Sequence, residues 1–560
     1  MMMRAYTFFL LLGWLTLPQF SVAQQGTGSG TTIVMTATSN FVPTIKDAIK
    51  FSDRPEIRDS VKRLTNFQYP ITSRPVFPPY EVSPITAAKL KNEPQAKLYR
   101  SILKLGYSPF YSMPLGDFRV SSLRSRNSLW AASARHLSSN THLAYVGYGG
   151  FSENELKLSG KQFYAKHTLS GDLNYERNVV HYYGYDTSIN KLNEAFTRQR
   201  YQLIEPKVRL MSHYTDSTHI NHDLTLGFHN LRNLHGESEN NIKFNGIGSF
   251  FVNKEKLNVN FLTDFYNNRQ RTDTLNNLIM TLNPSFEANG GKWHVDIGIA
   301  ATFDRFKETN SFYFYPQLNM HYDVYNNLVV PYGGITGGLI KNSMRSLVQE
   351  NPFVDTTMHL CNTDNKYNFF AGLRGHLSSK ASYDVKATYS RLDSLYFFVT
   401  DYRGPQTVYN QFNVIYDDAM VLNLNGQLKY QIKEKLNISA KANYYYYKTK
   451  TLVRAYGRPE FDMTFSAVYN LQSKIIVKGD LYVMGKQWGM ARKTDGVNVL
   501  YNPQLISEWF DVNLEGEYRY SKMMSFFLRF NNIAGQRYYR WYNYPSQRFS
   551  FMIGVTFIPF

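Results

Sequence analysis

The chain has 560 residues, one cysteine, 43 tyrosines, 39 phenylalanines and a formal net charge of +19, at a mean hydropathy of −0.39. A lone cysteine, Cys361, excludes an intramolecular disulfide framework and a cysteine-rich metal centre, and after the first 23 residues no apolar run is long enough for a helical membrane span. The basic residues are spread along the chain without a basic helix, zinc finger or RNP-like motif, so no nucleic-acid partner is expected; the surplus points to anionic headgroups or to an electropositive lumen for anionic solutes.

In chain order, Arg4, the apolar stretch Ala5 to Leu17 and the small-residue site Ser21-Val22-Ala23 predict a secretory signal peptide over 1–23, with the mature chain starting at Gln24. No cysteine follows that stretch, which argues against lipoprotein attachment. Residues 24–95 then form an irregular segment rich in proline (Pro43, Pro55, Pro70, Pro75, Pro78, Pro79, Pro84, Pro94), with one short helix expected near Ile45 to Lys50. It is too small to bury a large core of its own. A reduced plug inside a lumen and a periplasmic tail are the two readings left open for it.

From 96 to 560 one period-two alternation follows another, each presenting an apolar and a polar face. Near the end, Phe510, Val512, Leu514, Tyr518 and Tyr520 share one face, while Asp511, Asn513, Glu515, Glu517 and Arg519 share the other. These segments exceed the usual length of soluble strands and suffice to cross a bilayer when tilted. Tight polar turns are expected near Arg126-Asn127, Tyr164 to Lys166, Asp216 to Thr218, Asn253 to Lys256, Asn289 to Lys292, Asn326-Asn327, Ser379-Lys380, Lys433 to Lys435, Ser473-Lys474 and Ser521-Lys522. Longer connections lie between them: Asn140 to Ser152, Tyr185 to Lys191, Asn342 to Asn365, Asp401 to Gln411, Lys450 to Arg458 and Gly489 to Ser507. Such alternation of short and long connections predicts an all-β, transmembrane antiparallel β-barrel of about 22 strands in the bacterial outer membrane, with short turns in the periplasm and long loops outside. The first strand is placed at Lys97 to Tyr107 and the last at Gln547 to Phe557, and lipid requires the two to pair, because an unpaired backbone group there costs several kcal/mol.

The ending carries a resemblance. A terminal Phe560 after an alternating strand that finishes at Phe557 resembles the C-terminal assembly signal of outer-membrane proteins, which implies the barrel assembly machinery as a partner. The run Phe530-Asn531-Asn532-Ile533-Ala534-Gly535-Gln536-Arg537-Tyr538-Tyr539 resembles the segment after the second-last strand of TonB-dependent receptors. Near the other end, Thr32-Ile33-Val34-Met35-Thr36-Ala37 is similar to a TonB box. The chain thus resembles a Bacteroidota-type TonB-dependent receptor, and the likeness implies solute uptake and contact with TonB or another periplasmic or surface protein. Receptors of that family carry a much longer plug domain than the roughly 60 residues between Thr38 and the first strand can supply, and Pro559 puts Phe560 out of phase with Phe557.

No constellation for nucleophilic, acid–base or metal chemistry stands out, so neither an enzyme, a metal nor a cofactor is expected. His213, His219 and His222 read as solvated turn histidines without supporting carboxylates. The glycines at 333–334 and 337–338 lack the following helix and Lys-Ser/Thr pair of a phosphate loop. Tyr444 to Tyr447 and the cluster Tyr538, Tyr539, Trp541, Tyr542 are expected as interfacial girdle residues. Asp511, Glu515, Glu517 and Arg519 are the expected lumen residues that set solute selectivity. The function read from all this is a receptor-like or porin-like barrel for a solute, embedded in lipid and lipopolysaccharide; the alternative is a non-transporting structural or accessory barrel of a secretion, surface-anchoring or assembly complex.

Overall fold

The computed structural model describes residues 100–559 apart from 216–217, 253–254, 272, 402–410 and 496–497. The signal peptide, the proline-rich segment with Thr32 to Ala37, and Phe560 lie outside the described residues.

Among the described residues twenty-six strands follow one another. The first eight are β1 (Ser101–Ser108), β2 (Met113–Ser121), β3 (Ser128–Ser139), β4 (Phe151–Phe163), β5 (His167–His181), β6 (Arg198–Ser212), β7 (Asn221–Arg232) and β8 (Ser238–Val252). Next come β9 (Glu255–Arg269), β10 (Thr274–Asn289), β11 (Trp293–Phe306), β12 (Thr309–Tyr322), β13 (Val330–Ile340), β14 (Thr363–Ser378), β15 (Ala381–Thr400) and β16 (Phe412–Ile432). The last ten are β17 (Leu436–Thr449), β18 (Phe461–Leu471), β19 (Ile475–Met484), β20 (Gln487–Asp495), β21 (Asn498–Ile506), β22 (Trp509–Arg519), β23 (Met524–Asn531), β24 (Tyr539–Trp541), β25 (Tyr544–Pro545) and β26 (Ser550–Phe557). Twenty-two of them form one antiparallel sheet; β20–β21 and β24–β25 are separate hairpins. Leu103 pairs with Phe557 and Tyr107 with Ile553, so β1 and β26 close the cylinder.

All ten expected tight turns lie on one rim, from the turn between β2 and β3 to that between β22 and β23. Asn326, Asn327, Gln472 and Ser473 take the positive φ values that so short a reversal demands. The opposite rim carries the long connections, together with short turns that the sequence pattern did not single out, such as Lys307-Glu308 between β11 and β12. Gly489 to Ser507, expected as a plain connection, is mostly the β20–β21 hairpin, with Gln487 paired to Ile506.

Burial is inverted relative to a water-soluble protein. Phe312 and Phe314 are 71% and 70% exposed, and Leu226, Ile299, Leu424 and Ile553 are exposed with them. Asn268, Asn277 and Glu239 are wholly buried. An apolar belt outside and a polar wall inside is the arrangement that lipid selects, which makes this a transmembrane barrel. The phase expected for β22 is the one found: Phe510, Leu514 and Tyr518 face outward, and Ile553 and Phe557 on β26 do the same.

The closing seam is tightly packed. Gly106 stands opposite Gly554 across β1 and β26, and the ring of Phe527 from β23 lies over both. A Cβ on Gly106 would come 2.9 Å from that ring, and one on Gly554 would run into the ring and the Leu105 carbonyl oxygen. Lys104 Nζ sits 4.0 Å over the same ring and 3.1 Å from Glu515, tying β1 to β22 across two strands. Gly554→Ala is therefore expected to destabilise the barrel by about 1–3 kcal/mol, the usual cost of overpacking. Heat or urea unfolding in detergent measures this, and an unchanged midpoint would mean that the Phe527 ring moves aside freely.

Candidate functional site: the lumen and its inward loop

A closed ring of this size leaves a lumen that side chains from the wall alone do not fill. The connection between β13 and β14, residues 341–362, is built to enter it. Its short helix α1 (Met344–Glu350) starts at an N-cap, Ser343, that exchanges hydrogen bonds with Ser346 in a capping box. Met344, Leu347 and Val348 fall on one buried face, followed by buried Phe353, Val354, Met358 and Leu360. So apolar a connection would be unstable in water; here its side chains pack on Tyr201, Leu203, Tyr266, Leu275 and Val414 from the wall.

Those partners span the ring. Tyr201 and Leu203 stand on β6 and Val414 on β16, ten places apart around 22 strands, near the long-loop rim. The loop therefore crosses the mouth of the barrel. The connection between β23 and β26 joins it: Tyr544 stacks on Phe353 at 4.0 Å, and Trp541 packs edge-on against Phe398 at 5.2 Å.

Polar pins hold the loop from several sides. The Arg345 guanidinium donates to both carboxylate oxygens of Glu205, at 2.9 and 2.7 Å, and to His229 Nδ1 at 3.2 Å. The other ring nitrogen of His229 is 2.8 Å from Glu239, so the imidazole links Arg345 to that carboxylate. Lys341 Nζ is 2.6 Å from Asp264, and Arg458 is 3.4 Å from Glu350 at the far end of the helix. Backbone carbonyls are taken up as well: Tyr201 donates to Pro352, Tyr182 to Val354 and Gln270 to Met358. His229 and Glu239 are buried, so removing one member of that chain strands a charge away from water.

Cys361 lies near the end of this loop, and burial pushes its thiol above the ordinary cysteine range.

The lumen residues expected from sequence do share the inner face of β22, but as members of pairs. Asp511 accepts from the Tyr538 hydroxyl at 2.7 Å. Glu515 lies between Lys104 at 3.1 Å and Arg529 at 2.7 Å, and Glu517 is 3.6 Å from Arg519. Phe557 faces outward at the seam. The histidines around the β6–β7 turn engage different neighbours: His213 bonds Thr168, His219 stacks on Tyr214 and His222 packs on His167.

The girdle expectation for the aromatic clusters needs correction. Tyr444 and Tyr446 do face outward, but Tyr445 and Tyr447 point inward and stack at 5.9 Å. Tyr538 stacks on Trp509 at 4.1 Å and Trp541 is buried, because the segment after β23 turns over the mouth instead of lying in the membrane interface. Sequence reasoning also missed Arg345, Glu205, His229, Glu239, Lys341 and Asp264. A signal was present: Met344, Leu347 and Val348 stand at helical spacing within a connection too greasy for a solvated loop.

No family model matches the sequence, and no curated protein does. Solved structures do match. The FrpB iron transporter from Neisseria meningitidis (F5-1 variant) superposes with a TM-score of 0.64 at 8% identity, covering 82% of each chain. The pyoverdine outer membrane receptor FpvA from Pseudomonas aeruginosa gives 0.61 at 11% identity, over 82% of this chain and 78% of that one. A mutant of the ferric enterobactin receptor PfeA from the same organism gives 0.59 at 12%, over 82% and 80%.

Releasing the loop is the direct test of these pins. Arg345→Ala and Glu205→Ala are each expected to speed proteolytic cleavage within 341–362, and in a double-mutant cycle the two changes should couple by about 1–3 kcal/mol. Additive effects would show that the ion pair does not hold the loop. The fold shared with these neighbours is that of the TonB-dependent receptor barrel, at identities that speak for architecture alone.

Proposed function

We propose that this chain is a receptor-like or porin-like barrel of the bacterial outer membrane that admits or transports a solute, with the loop 341–362 opening and closing its lumen. One observation carries the reading: an apolar loop crosses the mouth, packed on the wall and fixed in position by discrete ion pairs and hydrogen bonds, a lock with separable pins. Iron transport and siderophore reception by the proteins of similar fold support a transport role over an enzymatic one. Thr32 to Ala37 is proposed as the segment offered to TonB, and Asp511, Glu515, Glu517 and Arg519 as residues that tune passage along one side of the wall. Lipopolysaccharide surrounds the long-loop rim, and the barrel assembly machinery inserts the chain.

Planar-bilayer recording tests this. The wild-type protein is expected to open rarely, and Arg345→Ala combined with Lys341→Ala to raise the time-averaged conductance severalfold. Silence from both proteins, before and after removal of 24–95, overturns the transport reading.

A second reading has its own support: the same pins suit a permanent seal. An accessory barrel of a secretion, surface-anchoring or assembly complex would then show stoichiometric partners on crosslinking in native membranes and no loss of uptake on deleting Thr32 to Ala37.

A further inference from the structure

The basic surplus of the chain has a place in the structure. Along the lumen wall cations meet acids, as in Arg209 with Asp223, Lys256 with Glu287 and Lys478 with Asp480. The short-turn rim is different. Counting across the seam, six consecutive turns carry an exposed cation: Lys380, Lys433, Lys474, Lys522, Arg126 and Lys166. Among the described residues of all ten short turns the only acids are Glu255, Asp323 and Glu434.

At the middle of this arc the outer wall is grooved. The groove, of about 800 Å³, is lined by Ile475, Tyr518, Phe526, Leu528 and Ile553 across β19, β22, β23 and β26. Gly516 leaves it open, since a Cβ there would meet nothing within 4 Å. Lys474 and Lys522 stand at its short-turn end, on neighbouring turns joined by the Arg519 N–H bond to the Lys474 carbonyl. Lys474 Nζ lies 5.7 Å from the outward Tyr518 ring, and exposed Tyr520 precedes Lys522 by two residues.

We propose that this groove and its two lysines bind one anionic glycerophospholipid of the inner leaflet, an acyl chain lying along the groove and the headgroup phosphate on Lys474 and Lys522. The outward tyrosines decide for lipid over an acidic protein, because such rings settle at the membrane–water boundary and so put the ammonium groups level with the phosphates. The proposal rests on the orientation adopted above, with the short turns in the periplasm.

The test is native mass spectrometry of the full-length chain in nanodiscs of phosphatidylethanolamine with a minority of phosphatidylglycerol. Wild type should retain phosphatidylglycerol well above its bulk share. Lys474→Gln and Lys522→Gln should each lower that enrichment about fivefold, as expected for one surface cation, and Gly516→Phe should displace the lipid by filling the groove while unfolding as wild type does. No wild-type preference, or enrichment that survives Lys474→Gln/Lys522→Gln, overturns the proposal. So does an unchanged lipid ratio with loss of a co-purifying acidic periplasmic protein. Failure to insert into nanodiscs would strike the membrane reading instead, and conductance, which the groove variants should leave unchanged, reports on the gate separately.

Discussion

Every structural feature of this protein follows from the need to pair backbone groups in a medium without water. An unpaired N–H or C=O in lipid is too costly to leave at a sheet edge, so the last strand must find the first. The seam where β1 meets β26 is accordingly where packing is least forgiving. Gly106 and Gly554 vacate the space that the Phe527 ring fills, and Lys104 reaches over that ring to Glu515. Pairing closes the cylinder, and side chains from three strands then brace the joint.

Closure creates the next problem. A ring of 22 strands encloses more space than its own side chains occupy, and that space is lined with amides and carboxylates. The chain answers with a connection that is apolar where it meets Tyr266 and Leu275 and charged where it meets Glu205 and Asp264. Apolar burial supplies most of the holding energy, while the ion pairs fix position, since a pair in a partly wet lumen contributes little net stability. This division of labour is what the gating proposed for the loop requires.

Charge is divided on the same principle. Inside the lumen, cations stand beside acids. At the short-turn rim an arc of exposed cations stands with few acids beside it. The formal charge of +19 therefore says little about the lumen itself.

The sequence alone determined strand phase, strand number and which rim is short. Those properties are local, because a period-two pattern such as Phe510 to Tyr520 shows which side chains meet lipid, and a pair such as Asn326-Asn327 marks a reversal wherever it occurs. Only the tertiary structure decided where the long connections go and whom the polar residues meet. Arg345 and Glu205 lie 140 residues apart, and nothing local in either predicts the other. Trp541 shows the reverse error, an aromatic assigned by local reasoning to the membrane boundary that in fact fills the mouth. Partner choice across a lumen is a property of the closed ring, and it comes into being only when the first and last strands have met.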